Sequence, residues 1–275
     1  MWLLSTSRAE LHYFADPSVV DRGYAILSHR WEGNEQTLQD LQLIIRECCE
    51  RGDNPRDHVS AKIRECCMLA ERYGYLWLWI DSCCINKESS TELSEAINSM
   101  YNWYAQSEVC FAYLSDVPSN CDLYAPNSEF RTSKWHTRGW TLQELIAPSV
   151  VIFISREWDV LGNRCELAVL LQQTTRVPEK ILEKTLLPSS YCIAVRMSWA
   201  ARRRTSRVED EAYCLLGLFG VNMPTIYGEG RSAFLRLQKA IMESTLDTSI
   251  FAWGPCLLST SYHLGSKQEI GRAHV

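Results

Sequence analysis

The chain has no stretch of 18 consecutive apolar residues, so no segment offers a membrane-crossing helix. Its opening, Met1-Trp-Leu-Leu-Ser-Thr-Ser-Arg-Ala-Glu10, lacks the basic stretch and unbroken apolar core of a secretory leader. A soluble, cytoplasmic protein is therefore expected. No C-x-x-C or H-x3-H spacing is present, and no metal site is expected. The patterns G-x4-G-K-[ST], G-x-S-x-G and H-E-x-x-H are also missing, which removes P-loop NTPases, ordinary α/β-hydrolases and zincin proteases. Neither charge dominates: 28 Lys and Arg stand against 33 Asp and Glu, for a net charge of −5. That balance supplies no sequence-wide attraction to nucleic acid or an anionic membrane, and neither is expected as a partner.

What the chain has in quantity is cysteine, twelve in all, including the adjacent pairs Cys48-Cys49, Cys66-Cys67 and Cys83-Cys84. They sit within apolar segments of a long chain, where reduced and mostly buried thiols are the expected state. A basic knot at Arg202, Arg203, Arg204 and Arg207 reads as a solvated rim beside a helix start.

Four runs rich in β-branched and aromatic residues predict buried strands over Tyr24–Ser28, Leu76–Asp81, Val109–Leu114 and Val150–Ser155. Between them, Ile63, Cys66, Cys67, Ala70 and Tyr73, and then Leu93, Ile97, Met100, Tyr101 and Tyr104, recur at helical spacing. Alternating strand and helix predicts a parallel sheet with helices on its faces. After Ser155 the pattern becomes helical, with a Ser206-x-x-Glu209 capping pattern opening a helix that ends at Gly220. The expected division is an α/β unit over 1–160, a helical extension over 161–253 packed on it, and an irregular or truncated tail over 254–275. Gly228-Glu-Gly230-Arg-Ser-Ala233 resembles part of a dinucleotide-binding turn, but it follows no clear strand and reads as a loop and helix start.

In an open parallel sheet, ligands bind beyond the carboxyl ends of the strands. That rule selects Ser28, Arg30 and Trp31 after the first strand, Asp81 and Asn86 after the second, and Arg138, Trp140 and Glu144 before the fourth. Glu144 is the sharpest of these, a carboxylate at the start of a short helix. It has a plainer reading too, because Thr141-x-x-Glu144 is a capping-box pattern. Asp81 has a similar alternative, as an anchor for the turn amides around Cys83 and Cys84. Cys84 with His29 could form a nucleophile and base, against the plainer reading of a core thiol and a packed histidine.

The blocks Tyr24-Ala-Ile-Leu-Ser-His-Arg-Trp31, Trp79-Ile-Asp-Ser-Cys-Cys-Ile-Asn-Lys87 and Arg138-Gly-Trp-Thr-Leu-Gln-Glu-Leu145 resemble, in order and spacing, the fungal heterokaryon-incompatibility (HET) domain family. Arg196-Met-Ser-Trp-Ala-Ala201, Glu209-Asp-Glu-Ala-Tyr-Cys-Leu-Leu-Gly217 and Met223-Pro-Thr-Ile-Tyr-Gly-Glu-Gly230 resemble the helical extension of one HET subgroup. Two departures stand out: Glu32 intervenes between Trp31 and Gly33, and Asn86-Lys87 replaces the commoner Asn-Gln or Asp-Lys. The resemblance implies a non-self-recognition and programmed-cell-death effector. Its partners would be other HET-domain or Toll/interleukin-1-receptor (TIR)-like chains, with self-association. A more distant likeness to TIR domains implies a TIR-like α/β core. In TIR enzymes that cleave NAD⁺, the matching glutamate is catalytic, which would make Glu144 the catalytic residue, NAD⁺ the substrate, and no cofactor necessary. The rival expectation is a non-enzymatic module that signals by assembly.

Overall fold

The computed structural model describes residues 1–252; the expected tail over 254–275 lies outside them. Seven strands form one sheet: β1 (Trp2–Ser5), β2 (Leu11–Tyr13), β3 (Ala25–His29), β4 (Trp77–Ile80), β5 (Val109–Tyr113), β6 (Val151–Ile154) and β7 (Val160–Asn163). Helices α1 (Leu38–Arg51), α2 (Ala61–Arg72), α3 (Ser90–Gln106), α4 (Glu129–Thr132) and α5 (Thr141–Ile146) are interleaved with the strands. After them come α6 (Ala168–Thr175), α7 (Glu179–Leu182), α8 (Ile193–Ser198), α9 (Asp210–Tyr213), α10 (Leu216–Phe219) and α11 (Ser232–Ser244).

The four strands expected from sequence are the central ones, and they are parallel. Every residue of β3 is buried, as are all but one of β5, which is why these strands read as continuous apolar runs. The sheet as a whole is mixed, in the order β2-β1-β4-β3-β5-β6-β7, because β1, β2 and β7 join it antiparallel. These three strands gave no signal in the sequence. Each is only three or four residues long, and β2 and β7 contain no fully buried residue, so neither an apolar run nor a clean alternation marks them. The last of them, β7, crosses position 160.

Within the parallel core, the chain passes from β3 to β4 on one side and then returns to β5 on the other. The carboxyl ends of β3 and β5 thus flank the point where strand order reverses, the place where such sheets open a crevice. One face of the sheet carries α3, whose Ala96, Ile97, Met100, Trp103 and Tyr104 are buried. Trp79 meets Trp103 and Tyr104 edge-on, with ring centroids 5.6 and 5.8 Å apart. On α2, Ile63, Cys66, Cys67 and Ala70 are buried as expected, while Tyr73 is exposed along one side and meets Phe111 only at its edge.

The helix expected from Val208 to Phe219 is broken into α9 and α10. Its capping pattern is not used. The Glu209 carboxylate instead accepts from the amides of Gly228 and Gly230, at 2.8 and 3.1 Å, tying the start of α9 to the loop before α11. That loop and the helix beginning at Ser232 match the reading of the Gly228–Ala233 segment. Gly220 closes α10 in the left-handed conformation. Gly217 lets α10 lie against α3: a Cβ there would fall 2.0 Å from the Cβ of Tyr101. Gly217→Ala is expected to destabilise the fold by about 1–3 kcal/mol through overpacking. A denaturant midpoint equal to the parent's would contradict this close packing.

Candidate functional site

Ser28, near the end of β3, is fully buried, and its hydroxyl joins two side chains distant in sequence. It donates to Oε2 of Glu144 and accepts from the indole Nε1 of Trp135 at 2.9 Å. Glu144 is 5% exposed. Burial, and next the charge of Asp81, push its pKa up to about 8 against the smaller opposing effects of Ser28, Arg138 and Arg203, so it is mainly protonated at neutral pH. Tyr104, whose hydroxyl donates to the Leu27 carbonyl at 3.0 Å, has its pKa raised by burial and then by Glu144.

The capping-box reading of Glu144 does not hold. Trp140 already has helical angles, which places Thr141 inside α5, where its hydroxyl donates to the carbonyls of Trp135 (2.7 Å) and Arg138 (2.9 Å). Glu144 is freed to reach Ser28.

The helix that carries Glu144 is gripped at both ends by cations from later in the chain. At its start, Nη1 of Arg203 donates to the Arg138 carbonyl and the Thr141 hydroxyl, both at 2.9 Å. Beyond its end, buried Arg164 donates to the carbonyls of Leu145, Pro148, Ser149 and Leu182 at 2.7–2.9 Å. Lys184 adds bonds to the carbonyls of Ile146 and Ala147. Cations at a helix C-terminus satisfy carbonyls without intrahelical partners and oppose the negative end of the helix dipole.

Nearer the surface, Asp81 Oδ2 accepts from the indole of Trp31 at 2.8 Å, and Lys87 Nζ lies 4.1 Å from the centroid of that ring. Asp81 does not anchor the following turn, since the amides of Cys83 and Cys84 both bond to the Ile80 carbonyl. His29 sits between two carboxylates, with Nδ1 3.6 Å from Asp81 Oδ1 and Nε2 3.7 Å from Glu35 Oε2. Neither ring nitrogen has a hydrogen-bond partner among the described residues. Burial opposes ionisation of Glu35, but His29, Lys62 and the Glu32 amide together hold its pKa at about 2. His29 therefore faces two carboxylates and not Cys84, whose buried sulfur accepts from the Ile80 amide.

Ser28, Glu144, Asp81 and Trp31 thus come together. The other selected residues are employed differently. Arg30 faces Glu32 at 3.8 Å, and Glu32 also accepts from Ser115 at 2.6 Å, so the intervening Glu32 bridges the ends of β3 and β5. The Asn86 amide group is spent on Gln39, Glu92 and the Glu88 amide. Arg138 bonds Ser206, and half-buried Trp140 turns toward Asp210. Trp135, Tyr104, Glu35, Arg164 and Arg203 also belong to this neighbourhood, and no motif in the sequence marks them. Trp135 stood within the segment leading to Glu144, and Glu35 within four residues of Trp31, so proximity to the strand ends was their only signal.

Residues 24–127 match the family described as "Heterokaryon incompatibility protein (HET)", a segment that contains Ser28, Trp31 and Asp81 and stops before Glu144. Residues 232–274 match a domain of unknown function. The chain is 43% identical over 224 residues to "Vegetative incompatibility protein HET-E-1" of Podospora anserina, a match that takes in 79% of this chain and 16% of that relative. No solved structure matches. These matches agree with the blocks at the carboxyl ends of β3 and β4, and the chain belongs to the heterokaryon-incompatibility (HET) family.

Proposed function

We propose that this chain is the HET module of a fungal vegetative-incompatibility effector, and that it acts by NAD⁺ glycohydrolysis at Glu144. The observation that carries the proposal is the Ser28–Glu144 pair at the switch point of the parallel sheet, with Asp81 and Trp31 beside it. The TIR-like order of strands and helices supports it. In the reaction the C1′–nitrogen bond of the nicotinamide riboside breaks, nicotinamide leaves with the bonding pair, and water adds at C1′ to release ADP-ribose and a proton. An ionised Glu144 would stabilise the positive charge that develops on the sugar. Trp31 would stack on a ring, and Arg30 and Asp81 would orient ribose and phosphate.

The burial of Glu144 sets two conditions. The side chains that enclose Glu144 must part to admit substrate, and the carboxyl must lose its proton. With a pKa of about 8, only about a tenth is ionised at neutral pH. Nicotinamide release is therefore expected to rise by close to tenfold per pH unit between pH 6 and 7.5 and to level off above about 8. Glu144→Ala is expected to abolish release. Absence of nicotinamide release across that range, with the protein concentrated enough to self-associate, would reject the enzymatic reading.

The same closure favours a second reading, a cytoplasmic interaction module that assembles with other HET or TIR-like chains while Ser28, Trp135 and Glu144 hold its interior together. Glu144→Gln separates the two. Cell killing that persists in this variant supports assembly, and killing that vanishes while the protein stays folded supports chemistry.

A further inference from the structure

The basic knot at 202–207 is not the uniform solvated rim expected from its sequence. Arg202, Arg204 and Arg207 are exposed, but Arg203 turns inward and makes no ion pair with a carboxylate among the described residues. Its Nε and Nη1 are used on backbone and hydroxyl oxygens, while Nη2 is shielded from solvent and has no partner among the described residues. Burial lowers its pKa to about 10, which leaves it charged at neutral pH, and Glu144, the carboxyl whose charge acts on it, is then mostly protonated. A buried guanidinium without an anion is costly unless something supplies the opposite charge.

Arg203 forms part of the wall of a cavity of about 530 Å³ between α8, the 200–205 turn, α11 and residues 249–252. This cavity is separate from the Ser28–Glu144 pair, neither of which lines it. Three arginines, Arg176, Arg202 and Arg203, contribute to its wall against one carboxylate, Glu211. Met197, Leu215, Phe234 and Ile250 supply apolar surface, and Ser198 and Gln238 add hydrogen-bonding groups. Arg176 is held in the left-handed conformation as the residue closing α6 (φ 66°), and its side chain has no hydrogen bond or ion pair among the described residues. A cavity of a few hundred Å³ with an apolar wall and a few convergent charges is the usual form of a small-molecule site.

We propose that this cavity binds a phosphate-bearing small molecule of nucleotide size, with its phosphate on the exposed Arg176 and Arg202 beside the enclosed charge of Arg203, and its ring against Phe234 and Met197. Because the same Arg203 donates to Arg138 and Thr141, the ligand's charge acts on the start of α5, and occupancy stiffens the helix that carries Glu144. Binding stands independently of the NAD⁺ reading; only an effect on catalysis would depend on it.

The test is calorimetric titration of the full chain with ADP, with inorganic phosphate as competitor. The parent is expected to bind one ADP per chain, and millimolar phosphate to weaken that binding. Arg176→Asn with Arg202→Gln keeps a residue tolerant of the left-handed conformation and leaves Arg203 in place; it is expected to weaken ADP binding at least tenfold. Trp31→Ala, at the other site, is expected to bind ADP as the parent does. Hydrogen exchange across residues 138–147 is expected to slow when ADP binds the parent and to stay unchanged in the double variant. No binding at millimolar ADP, equal binding by the double variant, or loss of binding in Trp31→Ala overturns the site. Binding without protection of 138–147 overturns the coupling to α5.

Discussion

At pH 8 and above, Glu144→Gln is expected to be more stable than the parent, by an amount that grows as pH rises from about 5. The folded protein holds the Glu144 proton up to about pH 8, whereas the unfolded chain releases it near the ordinary value of 4.5. Between those values the folded state carries the extra proton, so its stability is complete below 4.5 and is lost as pH climbs through 8. The full span corresponds to roughly 5 kcal/mol, at about 1.4 kcal/mol per unit. Glutamine keeps an acceptor for the Ser28 hydroxyl but has no proton to lose, so the penalty disappears.

Another buried group acts in the opposite sense over part of this range. His136 is shut in by burial and faces Arg203, which together bring its pKa down to about 4 from 6.5. Its contribution is present above pH 6.5 and is lost as pH falls toward 4. The parent curve should therefore be flatter between 4.5 and 6.5 than between 6.5 and 8. The difference between parent and Glu144→Gln removes the His136 effect and leaves that of Glu144. Denaturant unfolding at half-unit steps from pH 5 to 9 measures it, and parallel curves for the two proteins would show that Glu144 does not hold its proton in the fold.

Arg164→Leu is expected to cause the largest loss of stability, about 3–5 kcal/mol. The side chain is 1% exposed and donates only to carbonyl oxygens, those of Leu145, Pro148, Ser149 and Leu182. Leucine would leave those acceptors in a place water cannot easily reach. Much of that cost arises from the stranded oxygens and not from the lost charge. Arg164→Lys should recover only part of it, because an ammonium cannot span the same oxygens as a planar fork. Hydrogen exchange should quicken first at residues 141–149 in both variants. An unchanged unfolding midpoint in Arg164→Leu would mean that these bonds contribute nothing net to the fold.

The legible parts of the fold and site share a physical cause. β3, β4, β5 and β6 are buried on both faces or nearly so, and burial on two faces writes an uninterrupted apolar run. From those runs the strand-end rule led to Ser28, Asp81 and Glu144, which the structure brings close together. The edge strands were not legible because short pairing at a sheet margin demands little of the side chains. Arg164 and Arg203 were hidden for a different reason. Their partners are mostly main-chain oxygens, as far as 65 residues away, and a carbonyl has no residue identity to recognise. The Thr141-x-x-Glu144 pattern misled because a capping box depends on where the helix begins, and α5 begins one residue too early for it. Asn86 is engaged locally, its side-chain amide bonded to Gln39 on α1 and Glu92 on α3.

The grip of Arg164, Lys184 and Arg203 on α5 bears on how this protein can be taken apart. The matched family segment ends at residue 127, yet the helix bearing Glu144 depends on cations at 164, 184 and 203. A fragment cut after β6 would keep the parallel strands and lose the clasp. A protease that opened the 200–207 turn would leave every strand intact and still release the start of α5 from Arg203. A HET-family chain built this way loses its hold on α5 through one nick far from its sheet.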